Sequence, residues 1–372
     1  MEQSTPTKWT VNQPWRGFFG VAVTVAYVLT ITSIFSADFF LGFYTLFIMS
    51  MVPVLVVVGM GWGGQYPPTT GIPQPWRGFF LSGFVVLLGT LICYALRAFA
   101  SNGVAQPFIN IYVICTVIGT FFLILAFGMW PFDKLPAGAK GWFTLILVFI
   151  IIWIAFKLFN FSALSFPTGE NPSPVAPVPF YAPGGPLEPF AALAPKGPFI
   201  WESAIAFYFW MFVGLFVFTN LGMWPFCLSK TLMKQPLFGI ILTLTTLVFA
   251  IIAFLIGVRA LKIEPLKFLL VGVCWVYGVL MIMTMFQMWP GRGLKQPGWG
   301  FVNIVLAIGV GIVAYYVYLA FANWHFGKAM AYPNNIFIMA NMMLGITFPA
   351  WAAYSDLFDF WPLPPTPKPP EQ

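Results

Sequence analysis

Gly222-Met223-Trp224-Pro225-Phe226 closes a long apolar run, and the same five residues recur as Gly128-Met129-Trp130-Pro131-Phe132. Looser copies are Gln287-Met288-Trp289-Pro290-Gly291 and Asp359-Phe360-Trp361-Pro362-Leu363, and Gly59-Met60-Gly61-Trp62-Gly63 is a degenerate form without proline. A second phrase opens the run that follows. Gln13-Pro14-Trp15-Arg16-Gly17-Phe18-Phe19 returns unchanged as Gln74-Pro75-Trp76-Arg77-Gly78-Phe79-Phe80, then reduced as Gln235-Pro236-Leu237-Phe238-Gly239 and Gln296-Pro297-Gly298-Trp299-Gly300. The third opening lacks Gln-Pro, and Gly141 holds its glycine place. Self-similarity at a steady period marks a repeat architecture. The phrases divide the chain into five units, approximately 13–73, 74–136, 137–230, 231–295 and 296–363, with a Pro-rich tail at 364–372.

Of the 372 residues 60% are hydrophobic and only 7% are charged, whereas about a quarter are charged in a soluble domain. The composition therefore requires an integral membrane protein, with 1–372 as a single membrane domain. A spanning helix needs roughly 20 apolar residues, and each unit has room for two. Barrel strands would alternate apolar and polar residues, and runs such as Trp142 to Ala155 do not. The expected fold is an all-α polytopic membrane protein of about ten transmembrane helices, arranged as five tandem parallel helical-hairpin repeats. Spans are expected near 17–36, 39–62, 78–97, 107–130, 142–163, 200–224, 237–258, 267–289, 299–321 and 336–360. The first run lacks a small-residue cleavage site and reads as a retained helix.

Connections are short except 165–199, a Pro-rich loop expected to be extended and polyproline-like. Every hairpin starts from the same side, so the duplication is parallel, unlike the inverted repeats of many transporters. Of the 17 Lys and Arg, ten fall on the side of the termini, among them Arg16, Arg77 and Lys295. The positive-inside bias then puts both termini in the cytoplasm and the Pro-rich loop outside.

The phrases have a mechanical explanation. Tryptophan ends a span with an apolar ring and an N–H at headgroup depth. Proline cannot continue a helix but can begin one, and glycine lets a neighbouring helix approach closely. Trp62, Trp130, Pro131, Trp224, Pro225, Trp289, Pro290, Trp361 and Pro362 are thus expected to be structural stops and packing points rather than a substrate site.

Candidate chemistry is sparse. Histidine occurs once, as His325, expected in the loop before the last span, which excludes a bis-His haem and a His-based metal cluster. The four cysteines, Cys93, Cys115, Cys227 and Cys274, lack C-x-x-C spacing. No phosphate loop or nucleophile elbow is present, so no cofactor is expected, although bound lipid is compatible with the composition. Ionisable residues within lipid are costly and usually paired. Lys157 and Glu202, at matching depths of the third hairpin, are therefore a candidate ion pair. Asp356 and Asp359, three apart, should share one face of the last helix, where they either bind a cation or proton or, the preferred reading, dock Arg77, Arg292 or Lys295. Asn341, deep in the last span, marks with Pro53 and Pro349 where a cavity would lie.

Few intramembrane charges and parallel hairpins favour a structural or anchoring subunit of a larger membrane complex. Such a subunit has no catalytic activity of its own, and its partners are the bilayer and other membrane or peripheral proteins. With no basic domain outside the membrane, the +7 net charge suits anionic lipid better than nucleic acid. The alternative is a transporter or channel for a small solute or ion, with a path lined by Asn341, Tyr315, Tyr316, Thr219 and Asn220.

Overall fold

The computed structural model describes residues 11–64, 66–69, 71–164, 179–289, 291 and 294–364. Pro290, Arg292, the loop segment 165–178 and the tail 365–372 lie outside the described residues.

Among the described residues ten helices are long and apolar enough to cross a bilayer. Counted through their π-helical and 3-10 turns they are α1 (Trp15–Thr32), α2 (Ala37–Gly61), α3 (Trp76–Ala100), α4 (Pro107–Ala126), α5 (Ala137–Phe156), α6 (Trp201–Asn220), α7 (Leu237–Ala260), α8 (Pro265–Thr284), α9 (Gly298–Met330) and α10 (Asn334–Leu357). Apolar runs of this length form helices because lipid offers no partner for an unpaired backbone group.

The helices fall into two layers. Of the most apolar window in α2, α4, α8 and α10, 67 to 72% is buried, against 22 to 33% in α1, α3, α5, α7 and α9, with α6 between at 44%. The inner helices touch in chain order: α2 meets α4, α4 meets α6, α6 meets α8, α8 meets α10, and α10 returns to α2. Each outer helix packs on the inner helix that precedes it, as α3 on α2 and α9 on α8, and α1 lies on α10. The core is thus the axis of a closed inner circle.

Three helix ends and the long loop are among the differences from the sequence expectation. α5 stops at Phe156 because Phe159 and Asn160 turn into a two-residue strand, β1, parallel to β2 at Phe199 and Ile200. α9 continues beyond 321 and carries His325 inside the helix, its α-helical part giving way to a 3-10 turn, Gly327–Met330, where Gly327 adopts φ +50. α10 ends at Leu357, and the left-handed φ of +47 at Asp359 takes that side chain off the helical face of Asp356. The described part of the long loop, 179–199, is folded through turns and a short 3-10 helix, Glu188–Phe190, rather than extended.

Candidate functional site

The last carbonyls of a helix have no intrahelical donor. At the end of the bundle that carries residues 11–17 and 357–364, glutamines from the opening phrases supply one. Gln13 Nε2 donates to Met285 O at 2.9 Å, Gln74 Nε2 to Leu357 O at 2.8 Å and Gln235 Nε2 to Ala126 O at 2.8 Å. Gln13 and Gln74 also accept from the backbone N–H of Gly17 and Gly78 with Oε1, both at 3.2 Å. One side chain therefore caps its own helix and staples another far away in sequence.

The residue after each stapled carbonyl enters a glycine socket. A Cβ on Gly17 would lie 2.5 Å from the Phe286 ring, one on Gly78 2.3 Å from Phe358, and one on Gly239 2.3 Å from Phe127. Gly141 receives Trp62 in the same way, at 2.2 Å, and Trp62 Nε1 donates to Ala137 O at 2.5 Å. Gly300 meets the backbone of Asn220 and Leu221.

After each such residue the chain makes two left-handed steps: Gly63-Gly64, Gly128-Met129, Gly222-Met223, Gln287-Met288 and Asp359-Phe360. These steps turn N–H groups back onto the helix end, as Met129 N to Leu123 O at 2.7 Å and Phe360 N to Tyr354 O at 3.0 Å. In the first copy the left-handed pair follows Trp62, so Trp62 is a buried knob at 5% exposure, whereas Trp130, Trp224, Trp289 and Trp361 are 37 to 44% exposed at the surface. The peptide bonds Gln13–Pro14, Gln74–Pro75, Gln235–Pro236, Gln296–Pro297, Trp130–Pro131, Trp224–Pro225 and Trp361–Pro362 are cis.

Arg16, 1% exposed, ties the two ends of the chain together. Its Nε donates to Val11 O at 3.1 Å and its Nη2 to Pro364 O at 2.7 Å, and the guanidinium lies 5.4 Å from the Phe360 ring centroid. Arg77 Nη2 donates to Gly64 O at 2.8 Å.

At the opposite end the described residues of α2, α4 and α10 border a cavity. A vestibule of about 370 Å³ is lined by the polar residues Asp38, Thr45, Asn110, Asn334 and Asn341 and by apolar residues including Phe180 and Phe337. Ile111, Ile114, Phe337 and Asn341 also wall a deeper pocket of about 80 Å³, whose lining comes from α2, α4, α6, α8 and α10. Apart from Asn341 that lining is apolar. Its floor is aromatic: the Phe121 ring lies 5.2 Å from Phe212 and 5.6 Å from Phe348, and Phe216 backs it at 5.5 Å. Asn341 Nδ2 donates to Thr45 Oγ1 at 3.0 Å, at the start of a π-helical stretch, Asn341–Ile346. Asn110 Nδ2 donates to Leu41 O and Gly42 O at 3.1 and 3.2 Å, while its Oδ1 is buried without a protein donor.

No family model, curated protein or solved structure matches this chain.

The expected site residues scatter. Lys157 caps α5 from outside the helix, with Nζ 4.5 Å from the Trp153 ring centroid, and does not pair with Glu202. The ammonium prefers a nearby aromatic face to crossing to α6. Asp356 accepts from Ser355 Oγ at 2.7 Å rather than from Arg77, and the charge that acts with Asp359 is Arg16, from the first helix. Tyr315 and Tyr316 line a lateral groove between α7 and α9, Pro349 lines one between α1 and α3, and Thr219 and Asn220 bond back to Leu215 O and Phe216 O. Of the residues named for a solute path, only Asn341 reaches the axis. Cys93 and Cys115 are free thiols, and His325 Nε2 contacts Phe35 O at 2.9 Å.

Two groups of residues escaped the sequence. The knobs Phe127, Phe286 and Phe358 stand directly before the left-handed pairs, so a fixed offset from the closing phrase would have found them. Asp38 and Asn334 stand at the outer helix starts, where polar residues are ordinary and give no signal.

Proposed function

We propose that the chain is a structural or anchoring subunit of a larger membrane complex, built from five tandem helical hairpins closed into a ring and without catalytic activity of its own. The supporting observation is the axis. Its inner pocket is walled by aliphatic and aromatic side chains and closed by the Phe121, Phe212 and Phe348 cluster, so a solute path would require those rings to part. Outside, the grooves between neighbouring outer helices are large and apolar, about 750 Å³ between α7 and α9 and about 690 Å³ between α1 and α3, shapes that suit a helix of another subunit. Helix association in lipid draws on such close packing. The excess of Lys and Arg on the side of the termini supports a cytoplasmic orientation for both termini and an outer one for the 165–199 loop.

Native mass spectrometry of the protein gently solubilised from its own membrane tests the proposal. Co-purifying proteins at fixed stoichiometry are the expected result. A lone monomer or homo-oligomer that conducts a solute in liposomes would replace the subunit function by transport.

A further inference from the structure

The vestibule and the pocket below it form a graded, blind cavity on the bundle axis. Its mouth carries Asp38, Asn110 and Asn334, its throat Asn341, and its end only hydrocarbon and aromatic walls. Water gains little in such an end, because an apolar cavity offers no hydrogen-bond partners and stays dry. An alkyl segment fills it with dispersion contacts and leaves water behind, at about 0.8 kcal/mol per CH₂. The mouth asks for the reverse. Asn110, 8% exposed, has both amide protons engaged by Leu41 O and Gly42 O, and its Oδ1 lacks a protein donor. Both polar atoms of Asn110 are thus turned away from the vestibule, and recognition of a polar head at the mouth falls to Asp38. Asp38, exposed on the rim, is the charged side chain among the lining residues and repels anions.

We infer that the axial cavity binds one single-chain amphiphile, with its alkyl end in the pocket above Phe121 and a hydrogen-bond-donating neutral or cationic head at Asp38. The five inner helices separate this site from bulk lipid, which meets outer-helix residues such as Leu91 and Val305, 58 and 66% exposed. The ligand therefore enters end-on through the vestibule. The binding site stands independently of whether the chain is a complex subunit.

Photolabelling of the purified protein in nanodiscs tests the inference, using dodecylamine, dodecanol and dodecanoic acid, each with a diazirine at the chain terminus. Labelled peptides are mapped by mass spectrometry. The amine and the alcohol should label the deep wall at Ile118 and Leu344, and unlabelled dodecanol should compete. Ile118→Trp, which fills the pocket, should lower that labelling about tenfold or more, the equivalent of roughly two buried CH₂ groups. Asp38→Asn should weaken the amine and spare the alcohol. Labelling confined to lipid-facing residues, or deep labelling unchanged in a stably folded Ile118→Trp, overturns the site. Should that variant not fold, the competition in the unsubstituted protein decides, and failure of dodecanol to compete overturns the site as well. Dodecanoic acid labelling as strongly as the amine overturns the assignment of the head group.

Discussion

At the end of the bundle where the described residues begin and finish, Gln13 and Gln74 donate to the last carbonyls of other helices, and Arg16 donates to Val11 O and Pro364 O in the segments flanking the first and last spans. At the opposite end, Asn110 still donates to Leu41 O and Gly42 O of a neighbouring helix, whereas the exposed Asp38 carboxylate borders the vestibule. Polar side chains thus do different work. Where the donors and acceptors meet within the chain, they set the distance and angle between helices. Where they border a cavity, the chain leaves the interaction to something else. A polar residue at the edge of a membrane span is therefore informative only once its partners are known.

Substitutions sharpen that contrast, each measured as thermal or denaturant unfolding in one detergent. Arg16→Met should have the largest effect, about 3 kcal/mol of destabilisation, because two carbonyls lose a charged donor and the buried stem cannot replace it. Little change in Arg16→Met would mean that the two chain ends are not held through this side chain. Gly78→Ala comes next, at about 2 kcal/mol, since the new methyl overlaps the Phe358 ring and overpacking strains its surroundings. Phe358→Ala, itself destabilising, should remove that penalty in the double variant, and strict additivity of the pair would break the socket assignment. Gln74→Leu should lose about 1 kcal/mol, the worth of a staple to Leu357 O and a cap to Gly78 N. Asp38→Asn should change stability by no more than about 0.5 kcal/mol, as an exposed group with no structural task. A loss comparable to Gln74→Leu would erase the distinction between the two ends.

The legible part of the fold was the part encoded locally. Trp224-Pro225 and Gln74-Pro75 mark a stop and a start because proline and interfacial tryptophan act within a turn of the chain, and Gly141 was identifiable as a socket position by its spacing alone. Charged residues misled. Lys157 and Glu202 occupy matching depths, yet α5 ends one residue before Lys157 and the ammonium settles over Trp153. Asp356 and Asp359 have helical spacing, yet the left-handed turn between the last helix and Trp361 separates them. A spacing argument holds only while the helix continues.

By itself the sequence determined the ten apolar spans and the two phrases that join them, since a bilayer dictates span length and leaves few ways to end a helix. Tertiary structure decided which closing turn each glutamine staples, with Gln13 reaching 272 residues to Met285 and Gln74 283 residues to Leu357. Phe286 and Phe358 are both phenylalanines facing glycine sockets, so composition cannot tell Gly17 which of them to receive. The axial cavity has the same origin. Its walls come from five helices spread over most of the chain, and a void exists only where their side chains together fail to fill the space.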